Sequence, residues 1–347
     1  MQTDAIGSLV LKDAWFIACE SASLGARPFP LTVQSTPLVL FRDENGTASA
    51  LVDRCPHRNA PLSAGRVRKG TLECAYHGWR FDGQGTCRAV PGLCSDDVSL
   101  KARNAEMRAC RELDGYVYVA SSPGVPSTDP FRFPHLKDPS FTSVRKDFVV
   151  KASLHTALEN VLDVPHTAFL HGGLFRTEEK KNTIDVVVRK HGTFVEAEYL
   201  GEPRPEGLAG RLLAPQGGVV VHFDRFLLPS VAQVEYRLGE KSTLFSTSAM
   251  TPISAYETHI WACVTYRLPV PHAVVRPFVE PIVRKIFEQD RALLERITET
   301  VRLFGGERYT STEIDVLGAQ ILRLLTQASK GEAPREGVEE FRLKMRT

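Results

Sequence analysis

The sequence lacks a large charge excess, a long apolar run and a dense cysteine framework. Its net charge is +2 over 347 residues, which gives no reason to expect a nucleic acid as partner. No stretch approaches the roughly 18 apolar residues of a membrane-spanning helix, and the first residues lack the pattern of a signal peptide. The seven cysteines are scattered, unlike a secreted disulfide framework. These absences predict a cytoplasmic protein without a membrane span.

The chain divides into two regions of different pattern. Between residues 31 and 119, short apolar runs alternate with Gly- and Asn-containing turns, which predicts a small all-β unit. The stretch from residue 121 to 139 has five prolines and few periodic positions. We therefore predict two domains, covering residues 1–130 and 131–347.

The second region predicts an α+β domain. A helical pattern over residues 151–171 is interrupted at Pro165, and six segments with strand-like alternation follow. A long amphipathic helix is predicted over residues 281–301. Together these elements predict an antiparallel sheet with one face covered by the long helix. The charged residues after Ala328 are expected to be a solvated, mobile tail.

Two mixed pairs of metal ligands lie in the first region, Cys55 with His57 and Cys74 with His77. Thiolate and imidazole ligands suit zinc or an iron–sulfur cluster. Common zinc sites pair Cys with Cys and His with His at short spacing. Mixed pairs can instead hold a [2Fe-2S] cluster, with both Cys on one iron and both His on the other. A structural zinc site is the alternative.

The interrupted helix carries a second set of possible ligands. Its polar residues fall within about 80° on one face: His155, Glu159, Asp163 and His166. His171 lies about 140° from His166 around a regular helix. The two histidines can therefore share a metal only if the helix is broken, and Pro165 gives a reason to expect a break. A polar helix face with surface histidines is the alternative.

Asp290 lies near the middle of the apolar arc of the long C-terminal helix. An unpaired carboxylate buried in such an arc would cost several kcal/mol and needs a cation as partner. A buried Arg would serve as well as a metal ion. Two histidines that lack a third ligand favour the metal, because His166, His171 and Asp290 make the 2-His-1-carboxylate triad of non-haem Fe(II) oxygenases.

Both motifs resemble those of one family. The stretch "CPH…CAYHGW" resembles the cluster-binding motif of Rieske [2Fe-2S] proteins. Ala60 and Tyr76 stand where respiratory Rieske proteins have two further cysteines, a departure that resembles the Rieske oxygenases and ferredoxins. The stretch "ENVLDVPHTAFLH" resembles the catalytic-domain signature of Rieske oxygenases, and Asp290 in "FEQDRALLE" matches their late carboxylate ligand. The resemblance covers nearly the whole chain and is to terminal oxygenase components that consist of α subunits alone.

The resemblance implies fold, cofactors and partners. The catalytic domain is expected to have a START-like helix-grip fold and to bind mononuclear Fe(II), beside a [2Fe-2S] cluster in the all-β domain. A head-to-tail homotrimer is implied, in which Asp163 bridges a cluster histidine of one subunit and an iron-bound histidine of the next. Because the chain has no GxGxxG fingerprint, electrons are expected from a ferredoxin, an NAD(P)H-dependent reductase, or both.

The implied reaction is an O2-dependent hydroxylation, demethylation or desaturation, as a monooxygenase rather than a dioxygenase. Only three tryptophans are present, which disfavours an aromatic cage for a quaternary amine. We therefore expect a bulky apolar substrate, polycyclic or steroid-like. The candidate pocket residues are Leu158, Leu162, Phe169, His222, Thr247 and Phe287. An electron carrier with a hydrophobic-ligand domain is the alternative function.

Overall fold

The computed structural model describes residues 9–93, 101–171, 183–202, 220–239, 242–269, 272–334 and 336–346. The chain forms two compact units, one over Leu11–Arg132 and one that contains the residues from Phe133 onward. In the part of the chain that is described, no helix is long and apolar enough to cross a membrane.

The first unit is built from short antiparallel strands. They are β1 (Trp15–Glu20), β2 (Phe29–Val33), β3 (Thr36–Arg42), β4 (Ala48–Val52), β5 (Arg66–Arg68), β6 (Thr71–Glu73), β7 (Arg80–Phe81), β8 (Cys87–Ala89), β9 (Met107–Arg108), β10 (Cys110–Leu113) and β11 (Tyr116–Ala120). These strands form three sheets in the orders β1-β11-β10, β2-β3-β4-β9 and β5-β6-β7-β8. The predicted all-β character of this region is confirmed.

One core connects two of these sheets with the cysteine loops. Val39 and Phe41 of β3, Leu72 of β6 and Phe81 of β7 are buried together with Cys55 and Cys74. The loops that carry the predicted cluster ligands therefore pack against the interior of the unit, which holds their backbone in place.

The second unit is one antiparallel sheet with helices. Its strands are β12 (Thr142–Val150), β13 (Thr183–Lys190), β14 (Phe194–Leu200), β15 (Val220–Leu227), β16 (Val231–Leu238), β17 (Thr243–Ser254), β18 (Glu257–Arg267) and β19 (Glu339–Arg346). Their order is β12-β18-β17-β16-β15-β14-β13-β19. An antiparallel sheet with helices on one face is the architecture that the sequence predicted.

The described helices of this unit are α1 (Leu154–Leu162), α2 (His166–Leu170), α3 (His272–Leu303) and α4 (Gly318–Lys330). The N-cap Ser153 accepts a hydrogen bond from the backbone N–H of Thr156 at 3.2 Å, which starts α1. Helix α1 ends at Leu162 because Asp163 has an extended backbone. The helical pattern is thus divided into two helices at the proline, as predicted. Helix α3 begins nine residues before the predicted start.

Side-chain alternation decides what each face of this sheet presents. Phe148 of β12 contacts Phe287 of α3, with 5.0 Å between ring centroids, so the face that carries Phe148 is the one covered by α3. Following the cross-strand register, Tyr199, His222 and Tyr236 project from that same face. We call this the helix-covered face.

The chain end corrects the expectation of a mobile tail. Strand β19 pairs with β13 over its whole length, from Glu339 opposite Lys190 to Arg346 opposite Thr183. Met345 is buried, and Phe341 and Leu343 alternate with charged residues. The segment looked like a tail because its charges are conspicuous, but every second residue is apolar, as a sheet strand requires.

Candidate metal centres

The two cysteine loops have the same backbone structure. In each loop the Cys N–H donates to the carbonyl five residues later, at 2.8 Å, from Cys55 to Ala60 and from Cys74 to Trp79. The residue four positions after each Cys donates back to the Cys carbonyl, and both of these residues, Asn59 and Gly78, have a positive φ of 61° and 69°. This repeat presents two equivalent Cys/His loops to a shared centre.

The four side chains of these loops have the burial expected of cluster ligands. Cys55 and Cys74 are buried, whereas His77 is exposed. The imidazole rings of His57 and His77 lie 4.6 Å apart, and His57 stacks on Trp79 at the same centroid distance. The structure thus brings the two histidine rings together and buries both thiols.

The chemistry of this donor set fits a cluster. Burial raises the pKa of the Cys55 thiol to about 11, and the nearby Cys74 thiol raises it as well. Such a thiol ionises only when a metal stabilises the thiolate. Burial, with the His77 and Arg58 charges, lowers the pKa of His57, and its Nδ1 atom is buried without a hydrogen-bond partner. A neutral imidazole with an orphaned nitrogen is suited to bind iron.

The second set of ligands converges although its members lie far apart in sequence. One ligand atom each of His166, His171 and Asp290 lies within 4.8 Å of the others. The Nε2 atoms of His166 and His171 are 3.6 and 3.1 Å from Asp290 Oδ1. Among the described residues this is the one group of three or more such side chains. We call it the His-His-Asp site.

The break after α1 produces this convergence. Because Asp163 is extended and α2 starts anew at His166, the angle of about 140° predicted for a regular helix does not apply. His171 follows the last residue of α2 as its C-cap, with φ −108° and ψ 31°. The two rings come within 5.2 Å of each other.

Hydrogen bonds fix which ring nitrogens face the centre. His166 Nδ1 lies 2.5 Å from the Asp163 carbonyl oxygen and therefore donates its hydrogen there. His171 Nδ1 lies 3.1 Å from Gln289 Oε1 and donates in the same way. In a neutral ring, each Nε2 atom consequently carries a lone pair.

Three electron-pair donors therefore face one another. Besides the two Nε2 atoms, Asp290 Oδ1 is buried and accepts no hydrogen bond. Such an arrangement is repulsive unless a cation lies between the donors. Burial lowers the pKa of His166, but the Asp163 and Asp290 carboxylates raise it to about 9, so the site attracts a proton when no metal is bound. The residues fit Fe(II) with open coordination positions.

Gln289 is a site residue that the sequence interpretation missed. It adjoins Asp290 in α3, and its amide holds His171 from the side away from Asp290. Partners of this kind orient metal ligands. The sequence feature that could have indicated Gln289 is its position next to Asp290, the carboxylate at the centre of the apolar arc.

The predicted pocket residues do not form one wall. Leu158 and Leu162 are buried and Phe287 is half-buried against Phe148, but Phe169 is 74% exposed. Thr247 pairs with Gln233, whose side chain projects from the opposite face to that of His222. Cross-strand partners share a face, and Tyr236, the partner of His222, lies three residues from Gln233 in β16. His222 and Thr247 therefore lie on opposite faces, and the prediction that they line one pocket is wrong.

The comparisons with known proteins agree with both centres. Residues 14–101 match the model of the Rieske [2Fe-2S] domain. Residues 150–331 match the model of the vanillate O-demethylase oxygenase C-terminal domain. The chain belongs to the Rieske oxygenases. The Rieske domain implies a [2Fe-2S] cluster, and the oxygenase domain of this family binds non-haem iron.

Individual relatives show how far the similarity extends. The chain is 33% identical to the oxygenase component of dicamba O-demethylase from Stenotrophomonas maltophilia, over 48% of this chain and 50% of the relative. It is 28% identical to the chloroplastic protein TIC 55 of Arabidopsis thaliana, over 79% of this chain and 51% of the relative. These matches span about half the length of the relatives. The fold matches that of dicamba monooxygenase bound to dicamba with a TM-score of 0.73 and 22% identity, over 92% of this chain and 97% of the other.

Proposed function

We propose that this chain is a terminal oxygenase component that oxidises a small molecule with O2. The observation that carries the proposal is the convergence of three ligand atoms at the His-His-Asp site. Iron held there supplies O2 activation, and the [2Fe-2S] cluster supplies electrons one at a time. Hydroxylation, oxidative demethylation and desaturation all follow this pattern, and a monooxygenase is favoured.

The chain's own residues position this chemistry. His166, His171 and Asp290 would hold the metal with three ligand atoms, and a triad of this kind leaves coordination positions for O2. The Asp163 and Gln289 contacts hold the two rings in orientation. Leu158 and Leu162, both buried, keep water away from the interior beside α1.

Family membership supports a proposal for electron supply and assembly. We propose that a ferredoxin or an NAD(P)H-dependent reductase reduces the cluster. In a homotrimer, Asp163 of one subunit then connects the iron site with a cluster histidine of the next. Light scattering with size exclusion tests the trimer. A cytoplasmic location stays a prediction, because relatives of this chain include chloroplastic proteins, and cell fractionation tests it.

The proposed substrate is a bulky apolar molecule, aromatic or polycyclic. The ring pair of Phe148 and Phe287, the latter one turn before Asp290, gives the neighbourhood of the site an aromatic surface. Relatives named for the demethylation of dicamba and the oxygenation of pheophorbide a also fall in this range. Oxidative O-demethylation is the first reaction to assay, with formaldehyde as the measured product and methoxylated aromatic acids, phenols and sterols as probes.

Iron and acid-labile sulfide per chain, measured after anaerobic reloading with Fe(II), test the core of the proposal. We expect about three irons and two sulfides, for a cluster plus a mononuclear site. Asp290→Ala should lower the count to about two irons with the sulfide unchanged. Glu288→Ala, which alters a carboxylate that is 70% exposed two residues away, is the matched control.

The same measurement separates the alternative function. An electron carrier with a hydrophobic-ligand domain has no use for a second iron site. A wild-type content of two irons and two sulfides per chain that does not change after reloading with Fe(II) would exclude an oxygenase and favour the electron carrier. A colourless protein without sulfide would instead indicate a structural zinc module.

A further inference from the structure

Trp79 is a side chain at the cysteine loops to which the proposed mechanism assigns no role. It belongs to the second loop, but its indole ring stacks on His57 of the first loop. The ring centroids are 4.6 Å apart, and the two ring planes differ by only 3°. Two further ring contacts of the cluster histidines are inclined, by 64° between His57 and His77 and by 40° between His77 and Tyr76. A parallel stack therefore connects one loop with a candidate ligand of the other.

The interior of the first unit fixes the position of Trp79. Its carbonyl oxygen accepts a hydrogen bond from the Cys74 N–H at 2.8 Å, which closes the second loop. Its side chain packs against the buried core that contains Cys55, Cys74 and Phe81. A ring held by a packed interior has little freedom to move, so it can in turn restrict the ring that stacks on it.

The His57 ring depends on this stack for its orientation. Its Nδ1 atom is buried without a hydrogen-bond partner and is the nitrogen suited to bind iron. Histidines that bind a metal are commonly oriented by a hydrogen bond at the other ring nitrogen, and both histidines of the His-His-Asp site have an orienting bond of their own. Within the described part of the chain, no hydrogen bond holds the His57 ring. The contact with Trp79 takes the place of that bond.

We propose that Trp79 is a positioning residue that fixes the plane of the His57 ring and lowers the reduction potential of the [2Fe-2S] cluster. The stacked indole restricts rotation of the imidazole about its Cβ–Cγ bond, so that Nδ1 keeps a single direction. The inference does not depend on the oxygenase reaction, because an electron carrier would use the same cluster.

The effect on the potential follows from the apolar surface that the indole lays over one face of the imidazole. Reduction adds one electron, and hence one negative charge, to the cluster and its ligands. Water beside a ligand stabilises that charge, so the exclusion of water from the His57 ring disfavours reduction. His77 is less protected, because it is exposed and its ring neighbour Tyr76 is 65% exposed. The two histidines thus have unequal surroundings.

The alternative is that Trp79 only fills space in the core. The variants Trp79→Phe and Trp79→Leu separate the two interpretations, because both remove a similar volume but only Phe presents a flat aromatic face. If Trp79 acts through stacking, Phe should preserve the properties of the cluster and Leu should change them. If Trp79 only fills space, the two variants should behave alike.

The test uses the anaerobic holoprotein and measures the midpoint potential of the cluster by optical titration and the EPR spectrum of its reduced form. For Trp79→Leu we expect a potential raised by at least about 28 mV, a threefold change in the equilibrium constant of a one-electron couple. Its g values should shift or broaden, because the His57 ring then adopts several orientations. Trp79→Phe should stay close to the wild type in both measurements. Acid-labile sulfide per chain gives the cluster content of each variant.

Trp261→Phe is the matched control. Trp261 stacks on His259 in the second unit, with 3.9 Å between ring centroids and 26° between planes, and neither residue is a candidate ligand. This variant should have the potential and g values of the wild type.

Two results would overturn the inference. One is a wild-type potential and wild-type g values in Trp79→Leu. The other is an equal shift, or an equal loss of sulfide, in Trp79→Leu and Trp79→Phe, which would leave Trp79 with a space-filling role only. Loss of sulfide in Trp79→Leu alone would support the inference, because a ring in place of the indole would then suffice to retain the cluster.

Discussion

At the scale of residues, the atoms that surround the candidate ligands determine how each centre can bind a metal. At the His-His-Asp site, one backbone carbonyl and one amide oxygen each take the Nδ1 hydrogen of a histidine. In the neutral rings, the remaining nitrogens present lone pairs toward Asp290. In the cysteine loops, burial keeps the Cys55 thiol protonated until a metal displaces the proton. Affinity for metal is therefore set by the residues that surround the ligands as much as by the ligands.

Gln289 offers a direct test of this idea. Replacing it by Leu removes the acceptor that orients His171, and losses of about 10- to 100-fold in metal affinity are typical of such partners. We expect Gln289→Leu to release mononuclear iron to a chelator at concentrations that leave the wild type loaded. Cluster iron and sulfide should not change, and Glu288→Ala should behave like the wild type. Equal retention in Gln289→Leu would show that the amide does not support the site.

His222 predicts a pH dependence of stability. Its pKa is raised from 6.5 to about 9 in the folded state by Asp224 and Glu202, against the lowering effect of burial. The stabilisation is therefore complete below about pH 6.5 and is lost as pH rises through 9. It amounts to about 3 kcal/mol. Urea unfolding at pH 6 and pH 10 should show a stability gap between wild type and His222→Gln that narrows at the higher pH. A gap of constant size would contradict the assigned protonation.

At the scale of elements, short connections determine where ligands lie. The helix break at Asp163 and Pro165 turns His171 toward His166, and the paired loops place Cys55 and Cys74 in one core. The sequence indicated the break, since proline disrupts a helix. It did not indicate Gln289, because no spacing rule connects a residue of α3 with a residue that follows α2.

Gly65 tests how closely the first loop must approach its neighbour. A Cβ atom there would lie 2.0 Å from the backbone oxygen of Glu73, the residue before Cys74. Because that atom belongs to the backbone, the hairpin must open, at a cost of about 1–3 kcal/mol. We expect Gly65→Ala to lower sulfide per chain and visible absorbance. Gly25→Ala, where a Cβ meets nothing within 4 Å, should retain both. Full cluster content in Gly65→Ala would show that the hairpin tolerates the change.

At the scale of the whole molecule, the second unit depends on the end of the chain. Strand β19 completes the eight-stranded sheet, and Met345 is 3% exposed opposite Ile184 of β13. A large sheet that lacks this strand would expose a row of unpaired backbone groups on β13.

Met345→Asp should therefore destabilise the protein by at least about 3 kcal/mol, because it buries an unpaired carboxylate. Urea unfolding followed by tryptophan fluorescence measures the loss, with the exposed neighbour Lys344→Ala as control. Unchanged stability in Met345→Asp would mean that β19 contributes little to the sheet.

The sequence by itself determined the two classes of unit and indicated the candidate ligands. Mixed Cys/His pairs, an interrupted helix and an acid within an apolar arc are local patterns, and local geometry suffices to interpret them. Only the tertiary structure decided the partners of His222, the face on which Thr247 lies and the pairing of the chain end. These depend on strand register across the sheet, where a shift of one residue reverses every side chain, and no local pattern specifies that register.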